Sequence, residues 1–254
     1  SSLFTLYKNN LTPSLVITPP DKRSGRKMEL QENNIKKWCQ SKNIKFWQPE
    51  SLKNLEISSS PLTKESFDIA IVASYPKILK EEILKIPKYE TLNIHPSKLP
   101  EYRGPSPIQS ALLDGETKTS VSIIKLDNEI DHGSILIQKE IEILDEDNNE
   151  ILERKCGAIG GELILQILPH YLEGSLRLIE QDHSKATFTR KFEKFEGEIN
   201  LNDAAEIVQN KFKAFLPHIP IFFKINHKNK EIRIKVSKIN INFIFLNVIR
   251  SSGD

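Results

Sequence analysis

The sequence predicts an α/β protein: a mostly parallel sheet covered by helices on both faces, then a smaller β-rich domain. Three observations carry this. Short apolar runs bounded by turn residues alternate with stretches at helical spacing over most of the chain. One such stretch, Glu150 to Leu172, places Leu152, Cys156, Ile159, Leu163 and Ile167 on one face of a long helix. After about Gln181 the pattern turns polar and then β-like, as in Glu231-Ile232-Arg233-Ile234-Lys235-Val236.

Each element follows from its residues. Ser14 to Thr18 reads as a short buried strand ended by Pro19-Pro20. Asp21 to Lys27 is a polar, basic loop. Glu29 to Ser41 has helix-forming composition, with Ile35, Trp38 and Cys39 on one face. Asp68 to Ser74 and Leu92 to His95 read as strands, and Pro96 to Pro107 as a proline-stiffened loop. Gln109 to Leu113 suits a short helix ending near Gly115. Ser120 to Leu126 and Ser134 to Ile143 read as strands. His183 to Glu198 reads as a linker with a strand inside it. Asn202 to Phe215 reads as a helix with Asn202 as N-cap and Ala204, Val208 and Phe212 on one face. The division expected is 1–181, a linker at 182–196, and a β domain at 197–254.

Composition narrows the function. The chain has 254 residues, 38% hydrophobic and 28% charged, which excludes collagen-like and disordered classes. Its apolar runs, such as Ile69 to Ala73, are far shorter than the roughly 20 residues of a membrane span. Cys39 and Cys156 have no metal-type or disulfide spacing, which fits a reducing cytoplasm. No apolar heptad repeat is present, so a monomer is expected. The sequence opens on Ser1-Ser2 and ends after an apolar run, so it reads as a fragment. Basic residues exceed acidic ones from His183 onward, while the body is slightly acidic; that asymmetry is a possible nucleic-acid footprint.

The richest chemistry lies in Asn93-Ile94-His95-Pro96-Ser97-Lys98-Leu99-Pro100-Glu101-Tyr102-Arg103-Gly104-Pro105-Ser106-Pro107. Residues i and i+2 of a strand share a side, so Asn93 and His95 project together at the carboxyl end of theirs, where open α/β sheets bind ligands. An amide donor beside an imidazole can hold a developing oxyanion. By itself an Asn-x-His pair is weak evidence, because buried Asn and His often only satisfy backbone groups. Asp131 by itself reads as a turn residue before Gly133. His132, His170, His183, His218 and His227 share no ligand spacing, so no metal is expected.

The fifteen-residue string together with Glu129-Ile130-Asp131-His132-Gly133-Ser134-Ile135-Leu136 resembles the signature of the folate-dependent formyltransferases. The Tyr102-Arg103-Gly104-Pro105-Ser106-Pro107-Ile108 form resembles the branch that formylates methionyl-tRNA. Further likeness lies in Thr18 to Lys27, Ile71 to Tyr75, Phe188 to Phe192, Gly197 to Asn200 and Lys211 to Pro217. The resemblance implies a Rossmann-like catalytic domain and an OB-like β-barrel that binds tRNA. It implies a formyl transfer from 10-formyltetrahydrofolate to the α-amine of methionyl-initiator-tRNA, in translation initiation. Asn93 and His95 would stabilise the oxyanion, and Asp131 would orient His95 and relay the proton. Such a base works best partly desolvated, so partial burial of Asp131 is expected. Ser97, Lys98, Leu99 and Pro100, with Ser74, Tyr75 and Ile78, would line the folate. Lys22, Arg23, Arg26 and Lys27 would reach the tRNA.

Departures from the pattern are Lys98 for a usual Leu, Pro76 and Ser120 for Gly, His132 for Thr, Ser134 for Asp, and His218-Ile219 within a usual Pro-Trp-Pro. The family's first strand and its Gly-Thr turn would precede Ser1, and the barrel stops early. Three rival readings share the residues: an amino-sugar-nucleotide N-formyltransferase, a folate-dependent deformylase using water, and an inactive RNA-binding relative.

Overall fold

The computed structural model describes residues 1–24, 28–52, 60–75, 79–239 and 248–249. In chain order the elements are α1 (Ser2–Lys8), β1 (Val16–Ile17), β2 (Lys22–Ser24), β3 (Glu29–Gln31), α2 (Asn34–Ser41), β4 (Phe46–Trp47), β5 (Ala70–Ala73), α3 (Glu81–Leu84), β6 (Thr91–His95), α4 (Pro107–Leu113), β7 (Lys118–Lys125), β8 (Ile135–Glu142), α5 (Asn149–Leu172), α6 (Ala205–Phe215), β9 (Phe222–His227), β10 (Lys230–Val236) and β11 (Val248–Ile249).

The central sheet has four strands in the order β5-β6-β7-β8. It is mixed, which corrects the mostly parallel expectation. β5 and β6 are parallel, with Val72 opposite Asn93, but β7 runs antiparallel to both its neighbours. The reason is local. The chain leaves the end of β6 at His95, folds through the proline loop and α4, and returns to the same end, so that His95 faces Ser122 and Leu92 faces Lys125. A helix of seven residues here does not carry the chain to the far end of the sheet, as a parallel crossover must. β7 and β8 are then joined by a turn with no helix at all. Three further sheets among the described residues are small: β1 pairs in parallel with β4, β2 pairs antiparallel with β3, and β9, β10 and β11 form an antiparallel sheet.

Three local expectations change. Lys22–Ser24 pairs with Glu29–Gln31 as a hairpin, so the expected basic loop has a stranded stem, and α2 starts only at Asn34. The Asn33 side chain accepts from the Ile35 N–H and caps that start. Ile35 is exposed, while Cys39 is buried and Trp38 meets Tyr7 edge to face. α6 begins at Ala205, not after Asn202; Asn202 gives its N–H to Oδ1 of Asn200 in a local turn that competes with the helix. The 182–196 segment contains no strand; its only ladder contact is an isolated bridge between Phe188 and Arg103.

α5 supports the sheet from behind. Leu152, Cys156, Leu163 and Ile167 are buried on it, as their spacing predicts. Burial pushes the Cys156 thiol up to about 12. At Gly160 the helix passes so close to β6 that a Cβ would stand 2.3 Å from Cγ2 of Ile94. Glycine inside a helix costs about 1 kcal/mol against alanine, and here it permits the close approach. Ile94 therefore faces α5, which leaves Asn93 and His95 to the opposite face. The apolar cluster around Leu92 and Ile94 continues through α4 to Phe212 and Phe215 of α6 and to Phe223. Among the described residues, no helix is long and apolar enough to cross a membrane.

Candidate active site

The strand alternation of β6 delivers Asn93 and His95 to one face, both buried. Two loops close over them. One is the proline loop after β6, and the other is the turn between β7 and β8 that carries Asp131. The side chain of Asp131 is 13% exposed, the partial burial expected of the base role that the family resemblance implies. Its backbone has a φ of +48°, unusual for a residue other than glycine.

The two loops meet at the Asp131 carboxylate. Oδ1 accepts from Nδ2 of Asn93 at 3.2 Å. Oδ2 accepts from the backbone N–H of Gly104 at 2.8 Å and lies 3.5 Å from Nδ1 of His95. The other imidazole nitrogen, Nε2, is 3.0 Å from the carbonyl oxygen of Tyr102. The imidazole thus sits between two oxygen acceptors, one on each loop. Asn93 spends one of its two N–H donors on Asp131, and the amide has a second to offer.

Both glycines in this region have physical work. Gly104 has a φ of +105°, and a Cβ there would come 2.9 Å from the Thr189 carbonyl oxygen. At Gly133 a Cβ would lie 1.7 Å from the Lys125 carbonyl oxygen. That contact is impossible, so only glycine lets the Asp131 turn lie against β7.

An outer ring of residues to which the sequence assigns no role in the site surrounds this centre. Arg103 is buried and donates from Nε and Nη2 to Oε1 of Gln181, at 3.2 and 2.7 Å. Gln181 donates in turn to the carbonyls of Asp131 and Gly133, at 2.9 and 2.7 Å. His183 Nδ1 accepts from Arg103 at 2.8 Å, and its ring stacks on His132 with centroids 3.9 Å apart. His132 is held by Asp127 at 2.7 Å. Burial pushes the Arg103 guanidinium down from its usual value, opposed by Asp131, Glu129 and Asp127. Arg103 lies inside the fifteen-residue string, but its partners had no signal of their own: Gln181 is the last residue of the expected catalytic domain, and His183 belongs to the segment read as linker.

That segment lies across the proline loop as a strap. Thr187 accepts the Arg103 N–H at its carbonyl, 2.8 Å, and the Tyr102 N–H at Oγ1, 2.7 Å. Thr189 donates its N–H to the Arg103 carbonyl at 2.7 Å, and its Oγ1 accepts from the Ser106 N–H at 3.1 Å. Tyr102 is anchored at its other end by Asp114 and Glu116, 2.9 and 3.1 Å from its hydroxyl. Burial, and then those carboxylates, push its phenol well above its usual value.

The other singled-out residues divide by orientation. Ser97 is buried and donates to the Glu101 carbonyl at 2.7 Å; Leu99 is buried beside Ile124 and Ile135. Lys98 is exposed and Pro100 half-buried. Ser74 and Tyr75 follow β5 and flank the end of β6, and partial burial pushes the Tyr75 phenol up. Ile78 lies outside the described residues. Lys22 and Arg23 are exposed on the β2–β3 hairpin, while Arg26 and Lys27 lie outside the described residues. No metal-binding cluster occurs among the described residues.

Comparison with known proteins identifies the family. A family model described as formyl transferase matches residues 5–168. The methionyl-tRNA formyltransferase of Sulfurihydrogenibium sp. (strain YO3AOP1) is 35% identical over 253 residues, 98% of this chain and 81% of its own length. The solved methionyl-tRNA formyltransferase from Clostridium thermocellum superposes with a TM-score of 0.63 at 18% identity, covering 95% of this chain and 100% of that one. An N-formyltransferase from Helicobacter canadensis, solved with folinic acid and dTDP-3-aminofucose, superposes with a TM-score of 0.61 at 19% identity, covering 92% and 81%. These two superpositions speak to the fold alone.

Proposed function

The chain belongs to the formyl transferase family, and from that premise we propose that it acts as a methionyl-tRNA formyltransferase, moving a formyl group from 10-formyltetrahydrofolate to the α-amine of methionyl-initiator-tRNA. The convergence of Asn93, His95 and the Gly104 N–H on one carboxylate, Asp131, carries the reading.

In this reaction the amine attacks the formyl carbon, and the carbonyl oxygen becomes an oxyanion. The second N–H of Asn93 stabilises that oxygen, and His95 joins it by turning an N–H away from the Asp131 or Tyr102 oxygen that it faces at rest. The ammonium formed by attack loses a proton to Asp131, directly or through His95. Collapse of the intermediate breaks the bond from the formyl carbon to N10 of the folate, and N10 takes the proton that Asp131 and His95 received from the amine. The formyl group ends on the methionyl nitrogen, and tetrahydrofolate leaves. Ser74, Tyr75 and Ile78, with Ser97, Lys98, Leu99 and Pro100, form the folate side of the site. The buried pair Ser97 and Leu99 shape that loop from within, and Lys98 faces outward toward the folate's acidic tail.

We assign the tRNA to Lys22 and Arg23 of the β2–β3 hairpin, to Arg26 and Lys27 of the same basic stretch of sequence, and to the basic C-terminal region. Residues 1–181 would form the catalytic domain, 182–196 the linker, and 197–254 an OB-like domain of which the β9–β11 sheet is part. Phosphate contacts of this kind weaken with salt.

The test offers 10-formyltetrahydrofolate with methionine-charged initiator tRNA, and an amino-sugar nucleotide in parallel, and reads products by mass spectrometry. Formyl-methionine after mild hydrolysis, lost in Asp131→Asn, is the expected result. Transfer to the sugar nucleotide alone overturns the acceptor assignment, and tRNA binding without transfer to either overturns the enzyme reading.

A further inference from the structure

We propose that Gln181 is a positioning residue for the Asp131 carboxylate, an adapter that ties the turn carrying Asp131 to the Arg103 guanidinium. The proposal rests on the reading in which Asp131 and His95 carry the reaction.

Gln181 is 5% exposed and uses both ends of its carboxamide. The orientation is dictated by its partners: a guanidinium only donates, and a carbonyl only accepts. Oε1 must therefore face Arg103, and Nε2 must face the carbonyls of Asp131 and Gly133. Arg103 is followed in the chain by Gly104, whose N–H holds the Asp131 carboxylate at 2.8 Å. A closed ring results. Gly104 grips the side chain of Asp131, and Arg103, through Gln181, grips its backbone. Held at both points, the carboxylate can neither translate nor rotate away from His95.

Asp131 needs that grip. Its φ of +48° belongs to a region that costs an ordinary residue on the order of 1 kcal/mol or more. Without the Gln181 donors the carbonyls of Asp131 and Gly133 lose their partner, and the turn is free to relax toward negative φ. A displacement of about 1 Å at a reacting group costs on the order of 10²-fold in rate. The polarity of the ring also runs one way: the Arg103 charge polarises the amide, which strengthens its donation to the two carbonyls.

Gln181→Glu tests this, since it keeps the size and the acceptor for Arg103 but removes both donors. Steady-state formyl transfer at varied folate and tRNA is measured beside Asp131→Asn and the double variant. The expected result is a fall in kcat of about 30- to 100-fold with both KM values within about threefold of the parent. In the Asp131→Asn background the same substitution should cost less than about threefold, because its effect passes through Asp131. A multiplicative loss in the double variant, or an unchanged kcat in the single one, overturns the proposal and leaves the Asp131 assignment standing. Full activity of Asp131→Asn overturns the assignment and the proposal with it. Should Gln181→Glu fail to fold by circular dichroism, Arg103→Lys takes its place; it keeps the charge, loses the two-nitrogen grip on Oε1, and should lower kcat about threefold to tenfold with KM unchanged, while an unchanged kcat overturns the proposal.

Discussion

Asp21 and Asp131 each sit in a connection between strands, and each accepts from one backbone N–H and one side-chain amide. For Asp21 these are Asn33 and Gln48, at 3.0 and 3.1 Å. For Asp131 they are Gly104 and Asn93. The third partner separates them. Asp21 meets the Lys36 ammonium at 2.7 Å, whereas Asp131 meets the His95 imidazole at 3.5 Å. The Lys36 hydrogen bond, with those from Asn33 and Gln48, holds the Asp21 carboxyl down at about 2. A carboxylate bound to a permanent cation is a fastener at the foot of the β2–β3 hairpin. One that faces an imidazole has a proton-exchanging neighbour in reach. Similar local geometry thus serves anchoring in one region and chemistry in the other, and the identity of one partner decides which.

The largest effect that could break this contrast is on turnover. Asp131→Asn should lower single-turnover formyl transfer by about 10³-fold, within the span expected for loss of a general base. Asp21→Asn should leave it within about twofold. Equal losses in the two variants would show that the contrast is wrong. Next comes stability. Gly133→Ala drives a Cβ into the Lys125 carbonyl oxygen and should destabilise the fold by about 3 kcal/mol or more, read from urea unfolding. Leu30→Ala, on the exposed hairpin at 61% exposure, should change it by less than about 0.5 kcal/mol.

A smaller effect sharpens the role of the hairpin. Replacing Lys22 and Arg23 together by alanine should weaken tRNA binding about tenfold and flatten the slope of log affinity against log salt by about 1 to 2. Turnover at saturating tRNA should hold, and a fall in turnover instead would draw the hairpin into the chemistry. The smallest effect concerns acid. The folded pKa of Asp21 lies below the 3.8 to which it returns on unfolding. Its stabilisation is therefore complete above roughly pH 4 to 5 and drains away as the pH falls toward 2. The melting-temperature gap between the parent and Asp21→Asn should narrow over that window, and a gap constant down to pH 2 would contradict it.

How much of this was legible follows from how far apart the partners lie in the chain. Asn93 and His95 share a face because strand alternation is a property of neighbouring residues, and the α5 face followed from helical spacing in the same way. Asp131 was legible only through the family likeness; its own context reads as a turn. The direction of β7 was misread because alternation carries no sign of polarity along the strand, and β7 is buried on both faces as a parallel strand would be. The missing helix between Leu126 and Ser134 was the available clue. Gln181 was invisible. It precedes a polar segment, and its contacts are with loops 78 and 50 residues away. The Lys22–Ser24 strand was missed because a hairpin this short is made by its pairing with Glu29–Gln31, and its composition reads only as charge.

The strap of Thr187 and Thr189 across the proline loop bears on anyone who would recombine this protein with a relative. A chimera joined at residue 182, where composition changes, would bring a foreign strap to the native loop and separate Gln181 from His183, its neighbour around Arg103. The loop would keep its sequence and lose the hydroxyls that receive the Tyr102 and Ser106 amides. The graft point that respects the chemistry lies beyond Thr189, so the interchangeable module is shorter than the change in composition implies.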